Sequence, residues 1–163
     1  MFTARANPEH SDWMFDIVKC GADASKHGFT AFYSQDQLKG KVLEVENLEA
    51  AAQHRNRKSL VLLRDYAFDE GAVKIIAEKK QLCFLIDLGR LIRTHGVPRA
   101  IALSKLRNFL GLCVRFGAFY TFATFADSEE KIRSPEEIAA IAGLLGINRG
   151  QAKFALKMLA HYV

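Results

Sequence analysis

Short apolar runs alternate with longer helical patterns along this chain, and this alternation constrains the fold more than any other feature. The apolar runs predict strands at Phe2–Arg5, Phe29–Tyr33, Val42–Val45, Ser59–Leu63, Leu82–Ile86 and Tyr120–Thr124. Several of them are almost continuously apolar, which is typical of parallel strands covered on both faces. The segments between them predict helices over roughly Pro8–Ser25, Asn47–His54, Asp69–Lys79 and Pro98–Gly117. The rhythm predicts an α/β fold with right-handed crossovers.

The length of 163 residues predicts one domain, spanning 1–163, and the 50% hydrophobic content is enough for a sizeable core. No apolar run reaches the roughly 18 residues that a membrane span needs. The first residues, Met1 to Glu9, lack the apolar region of a signal peptide. Three scattered cysteines predict buried thiols in a reducing compartment. We therefore expect a cytoplasmic protein.

The C-terminal end carries the clearest helix signals. Ser134 is a good N-cap, Pro135 suits the first helical position, and Glu137 completes a capping box. Asn148 caps a second helix, with Gln151 at the reciprocal position. These signals predict two helices joined by a very short turn.

Basic residues are concentrated towards the C-terminus. Residues 1–89 hold 12 basic and 13 acidic side chains, whereas residues 90–163 hold 11 and 5. The longest stretch without an acidic residue lies between Asp87 and Asp127, and its cations are Arg90, Arg93, Arg99, Lys105, Arg107 and Arg115. Such a region favours a polyanionic partner such as nucleic acid, with a merely solvated basic surface as the alternative.

The sequence shows no recognisable catalytic motif. The histidines have no metal-ligand spacing and the glycines match no dinucleotide or phosphate-loop fingerprint, so we predict no catalytic residue, no metal site and no cofactor. Asp65 and Asp87 each follow a predicted strand, where two acids could form an acid–base pair. We favour a structural interpretation, in which each caps the next helix or pairs with an arginine such as Arg64 or Arg90.

The last predicted helix carries its cations in one row, because Arg149, Lys153 and Lys157 recur every four residues. Like charges at this spacing each cost about 0.2–0.5 kcal/mol. The helix dipole also disfavours a cation in the first turn, although a helix N-terminus with an added arginine suits an anion. Arg133, just before the Ser134 cap, repeats the arrangement. Two such helix starts predict a phosphate-binding edge, with solvated cations as the alternative.

The long predicted helix over 98–117 has two different faces. One face is apolar and includes Leu106 and Leu110. The other is small, polar and basic, and its members are Ala100, Ser104, Arg107, Asn108, Gly111 and Arg115. Small side chains let a partner approach the backbone, and arginine provides a planar fork for phosphate. The aromatic residues form no RNA-stacking motif, so any RNA bound would be recognised by backbone and shape.

Several segments resemble one known family. They are Lys80–Leu88 followed by Arg90, the long helix from about Pro98, the strand at Tyr120–Thr124, Lys131–Ile138, Leu144–Gly146 and Gln151–Lys153. Together they resemble the archaeal ribonuclease P protein component 3, the thirty-kilodalton subunit family shared with eukaryotes. The resemblance covers 80–163 and, more weakly, 41–79.

This resemblance implies a TIM-like α/β barrel and an RNA-binding subunit of ribonuclease P, which removes the 5′ leader from precursor tRNA. The catalytic site of that enzyme is expected in its RNA, so this chain would not itself be the catalyst. The implied partners are ribonuclease P RNA, protein component 2 and other subunits, and precursor tRNA indirectly, but no membrane. The resemblance makes Arg90, Lys105, Arg133 and Lys153 RNA-contact candidates, to which the helix geometry adds Arg107 and Arg149.

The chain is shorter than is usual in that family, and the shortfall predicts a barrel that lacks one strand–helix unit towards the N-terminus. Two alternative functions stay open. The first is a small metal-dependent hydrolase on a related barrel, built on Asp65, Asp87 and His95. The second is a protein-interaction module that uses the apolar face of the helix over 98–117.

Overall fold

A computed structural model describes residues 13–163. Its strands are β1 (Phe15–Ile17), β2 (Ala31–Tyr33), β3 (Val42–Val45), β4 (Ser59–Leu63), β5 (Leu82–Asp87) and β6 (Phe119–Ala123). Its α-helices are α1 (Leu48–Ala52), α2 (Glu70–Lys79), α3 (Leu88–Arg93), α4 (Gly96–Phe116), α5 (Pro135–Leu144) and α6 (Arg149–Met158). Short 3₁₀ helices lie at Ala24–His27, Glu129–Lys131 and Leu159–His161. The predicted strand Phe2–Arg5 lies outside the described residues.

All the paired strands run parallel. Four of them form a sheet in the order β3-β4-β5-β6, and β1 pairs with β2. The two sheets meet where β1 and β6 end, because Val18 bridges Ala126 and the Phe125 N–H donates to the Ile17 carbonyl at 2.9 Å. The predicted α/β fold with parallel strands is thus confirmed, and the strand order is consistent with a barrel-like fold.

Each face of the strands contributes to a different core. One core lies between the strands and the helices and includes Phe84, Phe122 and Phe109. The other collects apolar side chains from the opposite face of β1, β4, β5 and β6, among them Ile17 and Leu85. Its members include Met158 and Leu159 at the C-terminal end of the chain. The strands are therefore packed against apolar side chains on both faces.

The apolar face of the predicted long helix is used inside the protein. On α4 the buried residues are Leu106, Phe109, Leu110, Leu112 and Cys113. They belong to the core between sheet and helices. The face on which an interaction module would depend is therefore already occupied by the chain itself.

The predicted helix Pro8–Ser25 is wrong over its described part, because β1 lies within it. The reason is Asp16, a completely buried acid that interrupts the apolar run Phe15–Val18 and hides its strand character. The segment after β5 also differs: the sequence pattern predicts no helix between Leu82–Ile86 and Pro98, but residues 88–93 form α3. The predicted strand Phe29–Tyr33 is shorter than expected and begins at Ala31.

Gly89 brings the start of α3 directly against β6. A Cβ atom at this position would lie 1.9 Å from the Thr124 carbonyl oxygen, which no side chain tolerates. The glycine therefore sets how closely α3 approaches the sheet, and it positions Arg90. Within residues 13–163 no helix is long and apolar enough to cross a membrane.

Candidate functional site

The six cations predicted as RNA contacts lie in two places. Arg90 and Lys105 line a cleft beside the carboxyl ends of β4 and β5, which we call the β4–β5 cleft. The others surround the last two helices. We define the α5–α6 surface by the cations Arg107, Arg133, Arg149, Lys153 and Lys157.

The two helix starts of the α5–α6 surface are built as the sequence predicted. The Ser134 hydroxyl accepts a hydrogen bond from the Glu137 N–H at 3.2 Å. The Asn148 side chain accepts from the Gln151 N–H at 2.8 Å, and the Asn148 N–H donates to the Gln151 side chain at 2.9 Å. Both N-caps are confirmed, and so is the capping box of Asn148 and Gln151. The predicted box at Ser134 is wrong in one respect, because the Glu137 carboxylate accepts from the Ser134 hydroxyl, at 3.3 Å, and not from the Ser134 N–H. The two N-caps place Arg133 immediately before α5 and Arg149 at the first position of α6.

Both of these arginines reach the first turn of α5. The Arg149 Nη2 lies 2.6 Å from the Glu136 Oε2, and the Arg133 Nε lies 3.8 Å from the Glu137 Oε2. Ion pairs as exposed as Arg149–Glu136 are worth only about 0.2–1 kcal/mol, so an incoming phosphate can replace the carboxylate. The structure therefore brings Arg133 and Arg149 to one helix start. Arg149 has an exchangeable partner there, whereas Arg133 also donates to the Glu130 carbonyl at 3.3 Å.

Arg107 extends this surface at the turn between the two helices. Its Nε lies 3.8 Å from the position that a Cβ atom at Gly146 would take. Gly146 has a φ of +80°, a left-handed conformation in which glycine is favoured. Arg107 and Lys153 form no ion pair with any of residues 13–163. Their charges are available to a polyanion.

The β4–β5 cleft has a volume of about 580 Å³ and is mainly apolar. Its apolar walls include Tyr66 and Ile101. At its rim the Lys105 Nζ lies 2.9 Å from the Asp65 Oδ1. Arg90 is exposed and has no ion pair with a residue of the described part.

The two groups of cations lie on different sides of α4. Lys105 and Arg107 are two residues apart, which is about 200° around a helix at 3.6 residues per turn. Accordingly Lys105 lines the β4–β5 cleft while Arg107 lies against Gly146. Acids from other parts of the chain also neutralise two cations of the acid-free stretch between Asp87 and Asp127. Asp65 pairs with Lys105, and Glu70 pairs with Arg115 at 3.5 Å.

Asp65, Asp87 and His95, on which the hydrolase alternative depends, each make a different structural contact. The Asp87 side chain caps α3 by accepting from the Arg90 N–H at 2.9 Å, as the structural interpretation predicted. Burial raises the pKa of this carboxyl, although that hydrogen bond opposes the effect. Asp65 pairs with Lys105, and the His95 Nδ1 lies 3.4 Å from the Arg99 Nη2. Residues 13–163 contain no cluster of three His, Cys, Asp or Glu side chains that could hold a metal ion.

Two residues of interest escaped the sequence reasoning. Asp16 is fully buried, and burial raises the pKa of its carboxyl from 3.8 to about 6. Phe154 lies on α6 among the cations and is 58% exposed. A helical projection of residues 149–158 already separates Phe154 from the buried face, so this signal was present in the sequence. Nothing local marks Asp16, because its partner is 108 residues away.

The fold and the site define a parallel α/β protein with a cationic surface at two capped helix starts. No family model matches the chain. Ribonuclease P protein component 3 of Methanococcoides burtonii is 30% identical to it over 80 residues, which are 49% of this chain and 33% of that protein. The match thus spans about a third of the relative's length. The resemblance predicted from the motifs is confirmed by this similarity.

A solved structure supports the same comparison at the level of the fold. The chain is similar to one chain in the cryo-EM structure of archaeal ribonuclease P with mature tRNA, with a TM-score of 0.60 and 15% identity. The alignment covers 91% of this chain and 78% of that one. At this identity the similarity concerns the fold alone.

Proposed function

We propose that this protein is a non-catalytic, RNA-binding subunit of ribonuclease P, which supports the RNA-catalysed removal of the 5′ leader from precursor tRNA. The observation that carries the proposal is the meeting of Arg133 and Arg149 at the first turn of α5. Lys153 lies one turn after Arg149 on α6 and has no ion pair within residues 13–163. The similarity to component 3 supplies the identity of the complex. Ribonuclease P RNA is the direct partner, with component 2 and other subunits beside it, and precursor tRNA is contacted indirectly.

The chemistry of the α5–α6 surface suits a sugar–phosphate backbone. The N–H groups at the starts of α5 and α6 and the positive ends of the helix dipoles favour an anion. Arginine forks bind phosphate oxygens in pairs, and release of counterions from the RNA favours association. Arg90 and Lys105 at the β4–β5 cleft provide a second, smaller contact. The similarity to component 3 implies that the RNA performs cleavage. In keeping with this, Asp87 caps α3 and Asp65 pairs with Lys105.

We further infer that the fold is a TIM-like barrel of one domain, shortened by one strand–helix unit. The support is the connection between β2 and β3, where a crossover helix is replaced by turns over residues 35–41. Leu38 of this connection is buried and joins the interior core beside Leu60. The connection between β2 and β3 thus packs onto the strands through Leu38. A cytoplasmic location follows from the proposed partner RNA.

The test is reconstitution of the chain with ribonuclease P RNA, component 2 and the remaining subunits, scored by leader removal and by RNA affinity at several salt concentrations. We expect Arg133→Ala and Lys153→Ala each to reduce the slope of log affinity against log salt by about 1. Lys74→Ala is the matched control, because Lys74 is an exposed α2 cation without an ion pair among residues 13–163. Absence of RNA affinity at low salt with component 2 present would overturn the proposal.

A further inference from the structure

The exposed face of α6 contains one large apolar side chain. Phe154 is 58% exposed, whereas the apolar residues of the opposite face, such as Ala152 and Leu156, are completely buried. An exposed aromatic ring contributes nothing to either core. Isolated exposed apolar residues are common, so the surroundings of Phe154 decide whether it has a function.

Those surroundings are cationic. At 100° per residue, Phe154 lies about 60° around the helix from Lys157 and about 100° from Lys153. The ring therefore borders the row of cations. Neither lysine forms an ion pair with a residue of the described part of the chain, so the row is not neutralised beside the ring.

Gly150 lies one helical turn before Phe154 and leaves that part of the α6 surface without a side chain. Helical side chains lean towards the N-terminus and over the residue four positions earlier, which for Phe154 is Gly150. A glycine inside a helix costs about 1 kcal/mol relative to alanine. Neither the backbone nor the packing requires one here, since a Cβ atom would meet only the Asn148 Oδ1, at an ordinary 3.5 Å. What Gly150 does provide is open helix surface one turn before the exposed ring of Phe154.

We propose that Phe154 stacks on an unpaired base of the bound RNA, while Lys153 and Lys157 hold the phosphates next to that base. Sites for single-stranded RNA combine these elements, a cationic track and an aromatic ring on which a base stacks. The proposal rests on the proposed function. It adds a contact that is insensitive to salt to a surface otherwise dependent on charge. It also departs from the expectation, based on the sequence, of recognition by backbone and shape alone, because a loop or bulge of the RNA, and not a regular helix, would lie on α6.

The first experiment separates stacking from charge. Phe154→Leu in the reconstituted complex should weaken binding to ribonuclease P RNA about tenfold and leave the salt slope unchanged, because stacking releases no counterions. Phe154→Trp should retain the affinity. The control is Phe68→Leu, since Phe68 is 66% exposed and lies outside α6. Lys153→Ala should have the opposite effect, a smaller slope of log RNA affinity against log salt.

The second experiment separates binding from folding. Gly150→Leu should raise the thermal midpoint of the chain, because leucine favours a helix. It should weaken RNA binding, because the leucine side chain would occupy the open helix surface one turn before the ring. A variant that folds better and binds worse cannot be explained by misfolding. Gly143→Ala on α5 is the control, because a Cβ atom there meets nothing within 4 Å. It should raise the midpoint without changing RNA affinity.

The outcomes distinguish this inference from the function on which it rests. Normal RNA affinity of Phe154→Leu, together with a reduced salt slope for Lys153→Ala, would overturn stacking and leave the proposed function in place. Loss of binding to a protein subunit, with RNA affinity intact, would also overturn it and assign Phe154 to a protein contact. No RNA affinity in the unaltered chain would overturn both.

Discussion

The carboxylate of Asp16, on β1, links its sheet to the end of β6 in the other sheet by accepting two hydrogen bonds from Thr124. The Thr124 N–H donates to Oδ1 at 2.8 Å and the Thr124 hydroxyl donates to Oδ2 at 2.6 Å. The Ile17 N–H adds a third hydrogen bond at 2.8 Å. These contacts fix the end of β6 against β1, at the point where the two sheets meet. The fold therefore retains a buried acid for its geometry, at a cost in desolvation.

This cost predicts an unusual dependence of stability on pH. Burial raises the pKa of Asp16 to about 6 in the folded protein, against 3.8 when unperturbed, although the hydrogen bonds from Thr124 and Ile17 oppose the rise. A raised acid pKa means that the folded state binds the proton more tightly. The contribution of Asp16 to the free energy of unfolding is therefore most favourable below pH 4. It declines between pH 4 and 6 and stays unfavourable above pH 6.

Asp16→Asn should remove this dependence, because the amide has the same shape and is never charged. We expect the free energy of unfolding of the variant to rise by about 1–3 kcal/mol relative to that of the wild type between pH 4.5 and pH 8. Urea unfolding of both proteins at the two pH values measures the change. If the difference in unfolding free energy between variant and wild type is the same at both pH values, the raised pKa of Asp16 is contradicted.

Replacing Gly89 by alanine should lower stability, whereas the same substitution of an ordinary helical glycine raises it. Gly89→Ala should destabilise the fold by about 1–3 kcal/mol or more, because the new Cβ atom would lie 1.9 Å from a backbone oxygen. Gly111→Ala on α4 should instead stabilise it by about 1 kcal/mol, since nothing lies within 4 Å of that Cβ position. Thermal unfolding of the two variants checks both, and equal midpoints would contradict the close approach of α3.

The sequence was sufficient where local signals and tertiary structure agree. Val42–Val45 and Ser59–Leu63 are strands with the predicted bounds, and Ser134 and Asn148 cap their helices as predicted. Local signals failed at β1, where the strand contains a charge that only Thr124, far along the chain, makes tolerable. They failed again after β5, where the pattern predicts no helix before Pro98 and the short helix α3 follows Asp87 directly.

The candidate site was predictable to a similar degree. Periodicity placed Arg149 and Lys153 in one row, and the caps placed Arg133 near a helix start. The sequence could not show that Asp65 neutralises Lys105 from 40 residues away, or that Arg107 lies against Gly146. These relationships depend on how α4 packs, and packing is set by the whole core. The charge pattern therefore indicated the cationic residues but not their division between two places.

The acids of the hydrolase alternative lead to a further prediction. Asp65→Asn should leave leader removal by the reconstituted complex unchanged or increase RNA affinity slightly, because it frees Lys105 from its partner. Asp87→Asn should keep the cap of α3, since the asparagine side-chain oxygen accepts the same hydrogen bond from Arg90. Rates of leader removal and a calorimetric zinc or manganese titration measure the effects. Stoichiometric metal binding that either substitution abolishes would favour a hydrolase instead.

Glu136 offers a test in which removing a side-chain charge strengthens binding. Its carboxylate lies 2.6 Å from Arg149 and competes with any phosphate for that guanidinium. Glu136→Gln should therefore increase RNA affinity up to about fivefold, the equivalent of an exposed ion pair of up to 1 kcal/mol. Arg149→Ala should decrease it, and in the double variant the gain from Glu136→Gln should disappear, because no guanidinium remains to be released.

The matched control for this prediction is Glu70→Gln. Glu70 also lies in the first turn of a helix, α2, and pairs with an arginine, Arg115, at 3.5 Å. Both substitutions change the net charge equally, so a general attraction between protein and RNA would raise the two affinities alike. A larger effect of Glu136→Gln, measured by titration of ribonuclease P RNA at fixed salt, locates the phosphate at the start of α5. Equal effects would place the RNA elsewhere on the molecule.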